Sequence, residues 1–449
     1  MGKYFGTDGI RGKAEMFSPE FIGKFAAGLI TYAGDARPST NGERPLRILL
    51  GGDTRESSEW ILADLEKAFE TLGIDHGNVG VLPTPAINYA FYEMGYDMAV
   101  DVTASHNPYT DNGLKVFERD AKAGHGVKLC AEGVAQIEYT LEHGSELQTA
   151  GVELREDLHE DALDRYIEHL LNYIGKVDLS GMKIGLDCAN GATSVVAGRA
   201  FEKLGAAVMV INADAAYGTG INDGVGSTHP EKLQELVVRE GLDFGAAFDG
   251  DGDRCMLVDA GGKIVDGDQT IALIADALNL PSIAVTVMAN QGIFEWADGA
   301  GVKVEVTDVG DQNVFAAMTK KGIKIGGEQS GHVILPGEAM GDGMLTALMI
   351  AKIMAENRRS LSELAAVMPK YPQVNVTVPA NAEQKDRLND EDVQKLIKSY
   401  EGKLVANSGR LLVRPSGTED VIRVTLWGKD AGEIEALAEE LAEKLKETL

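Results

Sequence analysis

Three carboxylates fall within five residues, Asp249-Gly-Asp251-Gly-Asp253-Arg254, directly after the apolar run 244–248. Side chains two apart in an extended segment point the same way. Asp249, Asp251 and Asp253 therefore converge, and the intervening glycines let the backbone bend toward the same point. Carboxylates aimed at one point repel unless a cation lies between them, and an all-oxygen set suits Mg²⁺. An EF-hand is excluded, because its sixth position is Arg254 instead of Gly and its twelfth is Ala260 instead of Glu. A solvated acidic turn is the plain alternative, and a second motif that brings a phosphate decides between them.

Thr103-Ala-Ser105-His106-Asn-Pro108 follows the strand-like stretch 98–102 and ends in proline, so it is a loop. Ser105 lies beside His106, with Lys115 further on. A serine hydroxyl is a weak nucleophile without activation, and the G-x-S-x-G elbow of hydrolases is absent. Alone, the segment reads equally as a turn with a capping hydroxyl. Were Ser105 to carry a phosphate, it would complete the shell of the three aspartates. Near the C-terminus, Arg414-Pro-Ser416-Gly417-Thr418 offers a guanidinium, two hydroxyls and a glycine backbone, and Arg423 adds a second guanidinium. Such a group is a compact anion nest or a plain turn. In Gly326-Gly-Glu328-Gln329-Ser330-Gly-His332, the residues Glu328, Ser330 and His332 alternate along what reads as an extended loop after a strand at 322–325. Carboxylate and hydroxyl together suit two sugar hydroxyls, and a polar glycine-rich turn is the other reading. Arg11 lies in a glycine-rich stretch at the N-terminus.

The elements that position these residues alternate. Strand-like runs at 46–50, 98–102, 183–186, 244–248, 284–287 and 302–306 intersperse with helix-like runs such as 60–72 and 157–173, which predicts βαβ units with mostly parallel sheets. Ligand loops sit at the ends of such strands. The last helix, 430–449, carries Ile434, Leu437, Leu441 and Leu445 on one face. A chain of 449 residues exceeds one core. The reading is three similar mixed or parallel-sheet α/β domains plus a smaller C-terminal α+β domain. Their expected limits are 1–150, 151–258, 259–369 and 370–449, with a polar linker at 144–151, a break near 260–262 and a surface loop at 34–45.

Net charge is −28, with 44% hydrophobic and 25% charged residues. That balance argues against nucleic acid and anionic membranes, which need a basic footprint. An anionic substrate must therefore find a local basic pocket. Cys130, Cys188 and Cys255 are odd in number and have no C-x-x-C spacing, which fits a reducing cytoplasm and neither disulfides nor zinc. The N-terminal residues hold no apolar signal stretch and no run is long enough to span a bilayer, so a cytoplasmic protein is expected.

Together the stretches Phe5-Gly-Thr-Asp-Gly-Ile-Arg-Gly12, Ala104–Pro108, Asp249–Arg254, Gly327–His332 and Arg414–Thr418 resemble the α-D-phosphohexomutase superfamily over essentially the whole chain. Within it, Gln329, where other branches usually carry Met, and Gly226-Ser-Thr-His229 are similar to a bacterial amino-sugar branch. Gln312 departs from the pattern, standing where an Arg is typical, and Leu335-Pro-Gly337 departs from an acidic one. The resemblance implies four domains around a central cleft, and a phosphohexomutase that interconverts glucosamine 6-phosphate and glucosamine 1-phosphate through a 1,6-bisphosphate. It implies phosphorylation of Ser105 and one Mg²⁺ held by Ser105, Asp249, Asp251 and Asp253. Arg11, Arg254, Lys115 and His106 would serve phosphoryl and proton transfer. Glu328, Gln329, Ser330 and His332 would grip the sugar, and Arg414, Ser416, Gly417, Thr418 and Arg423 its distal phosphate. The partner is a small hexosamine phosphate, and a homodimer is compatible with the pattern. The rivals are a mutase for mannose or glucose phosphates, a metal-dependent phosphatase and a non-catalytic phosphosugar sensor.

Overall fold

Buried strands that feed polar loops organise the computed structural model, which describes residues 2–6, 8–36, 46–120, 125–144, 155–405, 408–416 and 420–449. All but the first residue of the expected linker 144–151 and most of the expected loop 34–45 lie outside the described residues, as do Gly417 and Thr418.

The first sheet runs in the order Phe5–Gly6, Gly9–Lys13, Asp111–Asp120, Met98–Val102, Arg47–Gly52, Asp75–Val81, Arg155–Asp157, with His125–Lys128 paired to Asp111–Asp120. Its centre is parallel, since Arg47–Gly52 pairs both neighbours that way. The second sheet is ordered Ala207–Ile211, Lys183–Asp187, Phe244–Phe248, Cys255–Asp259, Ile264–Val265. Residues 260–262 form a hairpin turn inside it, so this sheet runs past the expected limit at 258. The third is ordered Lys303–Thr307, Ser282–Thr286, Gly326–Gly327, Val333–Ile334. The fourth, Gln373–Pro379, Val421–Trp427 and Arg410–Pro415, is wholly antiparallel.

The first three sheets share one device. A strand lying parallel to its neighbour ends in a functional loop and returns as an antiparallel partner. Met98–Val102 returns as Asp111–Asp120, Phe244–Phe248 as Cys255–Asp259, and Gly326–Gly327 as Val333–Ile334. Residues 103–110, 249–254 and 328–332 thus occupy one topological position three times. The expected strand at 322–325 differs: Gly322 caps the helix Asp311–Lys321 in a left-handed conformation, and pairing begins only at Gly326.

Helical spacing explains the layers. In His159–Ile174, Ala162, Leu163, Tyr166, Ile167, Leu170 and Ile174 are buried, a single apolar stripe. They enter one continuous core with the second and third sheets and one face of the first. The other face of the first sheet packs on the helix Pro19–Ala36 and its neighbours. The C-terminal helix, Ala431–Thr448, is capped by Asp430 and buries Ile434, Ala438, Leu441, Ala442 and Leu445 over the fourth sheet. Leu437 lies at the border of that stripe and is only partly buried. Among the described residues no helix is long and apolar enough to cross a membrane.

Candidate active site

Ser105 is almost fully buried, and its backbone takes φ +52°, which few non-glycine residues adopt. Its Oγ donates to Asp249 Oδ2 at 2.7 Å and lies 3.3 Å from His106 Nδ1. The two leading motifs, 144 residues apart in sequence, therefore touch. Asp249, Asp251 and Asp253 each offer an oxygen within 4.8 Å of the others, all buried. They converge through a turn, closed by Gly252 N–H on Asp249 O at 3.1 Å, where alternation along an extended strand was expected. Among the described residues, Asp251 Oδ1 and Asp253 Oδ1 are buried without a hydrogen-bond partner. Spare buried carboxylate oxygens around one point fit a hard divalent cation.

Positive side chains ring the triad. Lys115 Nζ lies 2.6 Å from Asp251, 3.2 Å from Asp253 and 3.4 Å from Asp8. Burial opposes its charge, but these carboxylates raise its pKa well above the ordinary lysine value. In this arrangement Lys115 holds its proton. Arg254 stands 3.9 Å from both Asp249 and Asp253. Burial and the other two aspartates push the Asp249 carboxyl well up, whereas Lys115, His332 and Arg254 overcome burial and hold Asp253 well down. His106 is different: burial, then Arg254 and Arg11, lower it to about 4. Its ring is neutral near pH 7.

The other loops close on the same place. His332 is buried, 3.7 Å from Asp253 and 3.6 Å from Asp311. Gly341 N–H donates to its Nε2 at 2.9 Å, which puts the ring proton on Nδ1, facing Asp253. His332 braces the metal loop. Glu328, Gln329 and Ser330 form a hairpin turn instead of an extended loop, with Gly331 N–H on Glu328 O and Glu328 N–H on His332 O. Glu328 accepts from Gly310 N–H at 3.1 Å, and Ser330 Oγ is buried and unpartnered among the described residues. The Gln329 amide donates to Gln373 Oε1 at 3.1 Å, on the fourth sheet. Arg11 pairs with Asp8. In the fourth sheet Arg414 is directly opposite Arg423, and Ser416 N–H donates to Val421 O. Burial, then Arg423, lowers the Arg414 pKa. Two guanidiniums facing each other across strands repel unless an anion joins them.

Sequence reasoning missed several members. Lys128 ion-pairs with Asp8 and, at 2.5 Å, with Asp311, so it ties the first sheet to the third beside Gln312. Thr84 Oγ1 lies 2.8 Å from Asp251 and 2.5 Å from Asp101. Arg55 and Asn222 bind the carbonyls of the Ser105 loop. The tail Gly51-Gly-Asp-Thr-Arg55 on a strand end was a usable signal for Arg55. The others carry no pattern of their own.

Comparison with known proteins places these features. Four family models match in succession: Phosphoglucomutase/phosphomannomutase alpha/beta/alpha domain I at residues 2–144, domain II at 164–262, domain III at 266–371 and the C-terminal domain at 374–444. A phosphoglucosamine mutase of Clostridium acetobutylicum is 42% identical over 459 residues, covering 99% of each chain. One of Geobacillus kaustophilus is 39% identical, also over 99% of each. Among solved structures, a phosphoglucomutase/phosphomannomutase family protein from Burkholderia thailandensis matches with TM-score 0.75 at 22% identity, covering 98% of this chain and 97% of that one. The N-acetylphosphoglucosamine mutase of Aspergillus fumigatus, solved with GlcNAc-6P and magnesium, matches with TM-score 0.66 at 18% identity, covering 100% and 96%. At such identities the structures speak for the fold.

Proposed function

Because the chain belongs to the phosphoglucomutase/phosphomannomutase family, we propose that it interconverts glucosamine 6-phosphate and glucosamine 1-phosphate, with Ser105 as the phosphoryl carrier. One observation carries the reading: the Ser105 hydroxyl is hydrogen-bonded into a buried triad of carboxylates whose spare oxygens fit a divalent cation. The full-length relatives named phosphoglucosamine mutase support the sugar.

In the first half-reaction the free sugar hydroxyl attacks the phosphorus on Ser105. A new P–O bond forms to the sugar, the bond to Oγ breaks, the proton lost by the sugar hydroxyl ends on Oγ, and a 1,6-bisphosphate results. In the second half, Oγ attacks the other phosphate and the isomeric monophosphate leaves. In that step the serine proton, which Oγ presents to Asp249 Oδ2 at 2.7 Å with His106 Nδ1 at 3.3 Å, ends on the leaving sugar oxygen. Lys115, Arg254 and Arg11 contribute positive charge around the transferring group, which is most of what phosphoryl transfer asks of a protein. Asp249, Asp251, Asp253 and a phosphoserine oxygen would hold Mg²⁺, which when bound neutralises charge on that group. Arg414, Ser416 and Arg423, with Gly417 and Thr418, hold the phosphate that is not reacting. Glu328 and Ser330 grip the ring hydroxyls. The three free cysteines support a cytoplasmic setting.

A second sugar has one observation in its favour. Gln329, the residue whose amide was expected beside the ring, is bonded to Gln373. Two measurements test the whole reading. Intact mass of the purified protein should show one added phosphate, mapped to Ser105, and glucosamine 6-phosphate should turn over with higher kcat/KM than glucose or mannose 6-phosphate. A preference for mannose or glucose phosphate overturns the sugar assignment alone. Stoichiometric release of inorganic phosphate overturns the mutase.

A further inference from the structure

The left-handed backbone of Ser105 needs a cause, and two side chains outside the reacting groups supply it. Arg55 is fully buried with Asp53 as its counter-ion at 2.9 Å. Its Nη2 donates to Ser105 O and Asn107 O, each at 2.9 Å, and its Nη1 to Pro108 O at 2.5 Å and Asp111 O at 3.1 Å. One guanidinium thus gathers three carbonyls of the loop and the first carbonyl of the strand that follows it. Asn222 arrives from the second sheet's side, where Nδ2 donates to Ser105 O at 2.9 Å and Asn107 O at 3.3 Å. Its own N–H is fixed on Ala189 O at 3.0 Å, and its φ is +58°. The metal loop closes the remaining side: a Cβ on Gly250 would come within 2.7 Å of Ser105 O. On the amide side, Ser105 N–H donates to Thr103 Oγ1, which itself donates to Asp53.

We propose that Arg55 and Asn222 form a carbonyl cage that locks the 105–106 peptide and thereby aims Ser105 Oγ at the metal loop, so that both act as positioning residues for phosphoryl exchange. The inference rests on the functional reading above. The physical argument concerns the dihedral. With its carbonyl held from two sides, the peptide cannot rotate, and φ of Ser105 cannot relax to the negative values other residues prefer. Remove the clamps and the peptide turns, carrying Oγ away from Asp249. The side-chain amide of Asn222 and both terminal nitrogens of Arg55 donate to carbonyls at 105–111 and none to Oγ, so the cage acts on the geometry of attack and leaves the grip on sugar and distal phosphate untouched. Misplacing a reacting atom by about an ångström costs on the order of a hundredfold in rate. Asn222 also makes the lock depend on contact between the first and second sheets, so the nucleophile is aimed only when its loop meets the metal loop.

Asn222→Gly is the decisive variant. Glycine suits φ +58°, so the change removes Nδ2 without straining the backbone. Steady-state turnover of glucosamine 6-phosphate should show kcat lowered roughly tenfold or more, KM within about twofold and an unfolding midpoint within a few degrees of wild type. In parallel, transfer of phosphate from glucose 1,6-bisphosphate to Ser105, followed by intact mass, should slow by the same factor. Asn222→Asp sets a carboxylate against two carbonyl oxygens and should lose at least as much. Arg55→Lys keeps the charge but cannot span four carbonyls, so it should also lose kcat in its folded fraction. An Asn222→Gly enzyme with wild-type kcat and phosphorylation rate overturns the cage, as does a loss that only tracks the fraction unfolded. A wild-type protein that never carries phosphate on Ser105 overturns the functional reading and this inference with it. Phosphorylated, active wild type with an unaffected variant overturns the cage alone.

Discussion

A buried serine hydroxyl that touches a carboxylate 144 residues away is the residue on which the chemistry turns. Replacing Ser105 by Ala should abolish mutase turnover while removing only one buried hydrogen bond, about 1 kcal/mol. The unfolding midpoint should therefore move by a few degrees at most, and more than a trace of remaining activity would exclude the serine as carrier. Asp251→Asn removes one of three converging charges and one anchor of Lys115. The Mg²⁺ concentration giving half-maximal rate should rise on the order of tenfold or more; titration of activity against Mg²⁺ checks this, and an unchanged midpoint would count against the triad as the site. These residues were legible because chemistry left a pattern: three carboxylates at a fixed spacing, a serine beside a histidine in a proline-terminated loop. Asn222 was not, because its side-chain partners are backbone carbonyls, which any loop offers; Arg55 binds carbonyls too, and only its place in the polar tail of a strand could have marked it. Lys115 was legible as a candidate for proton transfer or orientation, but its three carboxylate neighbours were not, since they come from two distant segments.

At the scale of elements, one hairpin device recurs in three sheets, and the loops it carries pack against one another through glycine. Gly331, at φ +94°, is pressed so close that a Cβ would lie 2.4 Å from Cys255 O. Gly331→Ala should force the sugar loop away from the metal loop, lowering kcat and raising KM together; unchanged kinetics in a folded variant would show that the two loops are not held in register here. The recurrence was not visible in the sequence because its strands are held by backbone pairing, which leaves side chains free to differ, and because the third copy shrinks to two residues, Gly326–Gly327. The start of the helix Gly267–Ala277 gives a pH prediction. Burial and Asp266 push the Asp268 carboxyl up to about 8, against Lys370 and Arg410. A folded pKa above the unfolded one means the folded chain binds a proton that the unfolded chain has lost. The resulting stability is complete below about pH 4 and is lost as pH rises through about 8. Asp268→Asn lacks this term and can still accept from Asn290 N–H. Its unfolding midpoint should therefore gain on wild type as pH rises from 5 to 9 (roughly the window set by those pKa values). A gap that stays constant with pH would refute the buried carboxyl's contribution.

For the molecule as a whole, charge poses the sharpest problem: a chain of net charge −28 must draw in an anionic sugar phosphate. The fourth sheet answers it with local structure. Arg414 and Arg423 stand in register on adjacent antiparallel strands, and Arg414 Nε is buried without a hydrogen-bond partner among the described residues. Like charges directly opposite each other are destabilising, so an anion joining them adds to stability as well as to binding. Inorganic phosphate should raise the unfolding midpoint in proportion to the logarithm of its concentration once above its Kd. Arg414→Ala should lose most of that increment, even in protein with Ser105 replaced by Ala, so the readout does not depend on catalysis. In the active enzyme the same variant should raise KM and lower kcat, because binding energy at the distant phosphate positions the hydroxyl for attack. One nest has to serve both orientations of the bisphosphate, since the phosphate that reacts in one half-reaction is held in the other. The loss should accordingly be similar for 1-phosphate and 6-phosphate substrates. A variant impaired in one direction only would mean that the two phosphates have separate sites, and the requirement that the intermediate turn over above a single serine would fall with it.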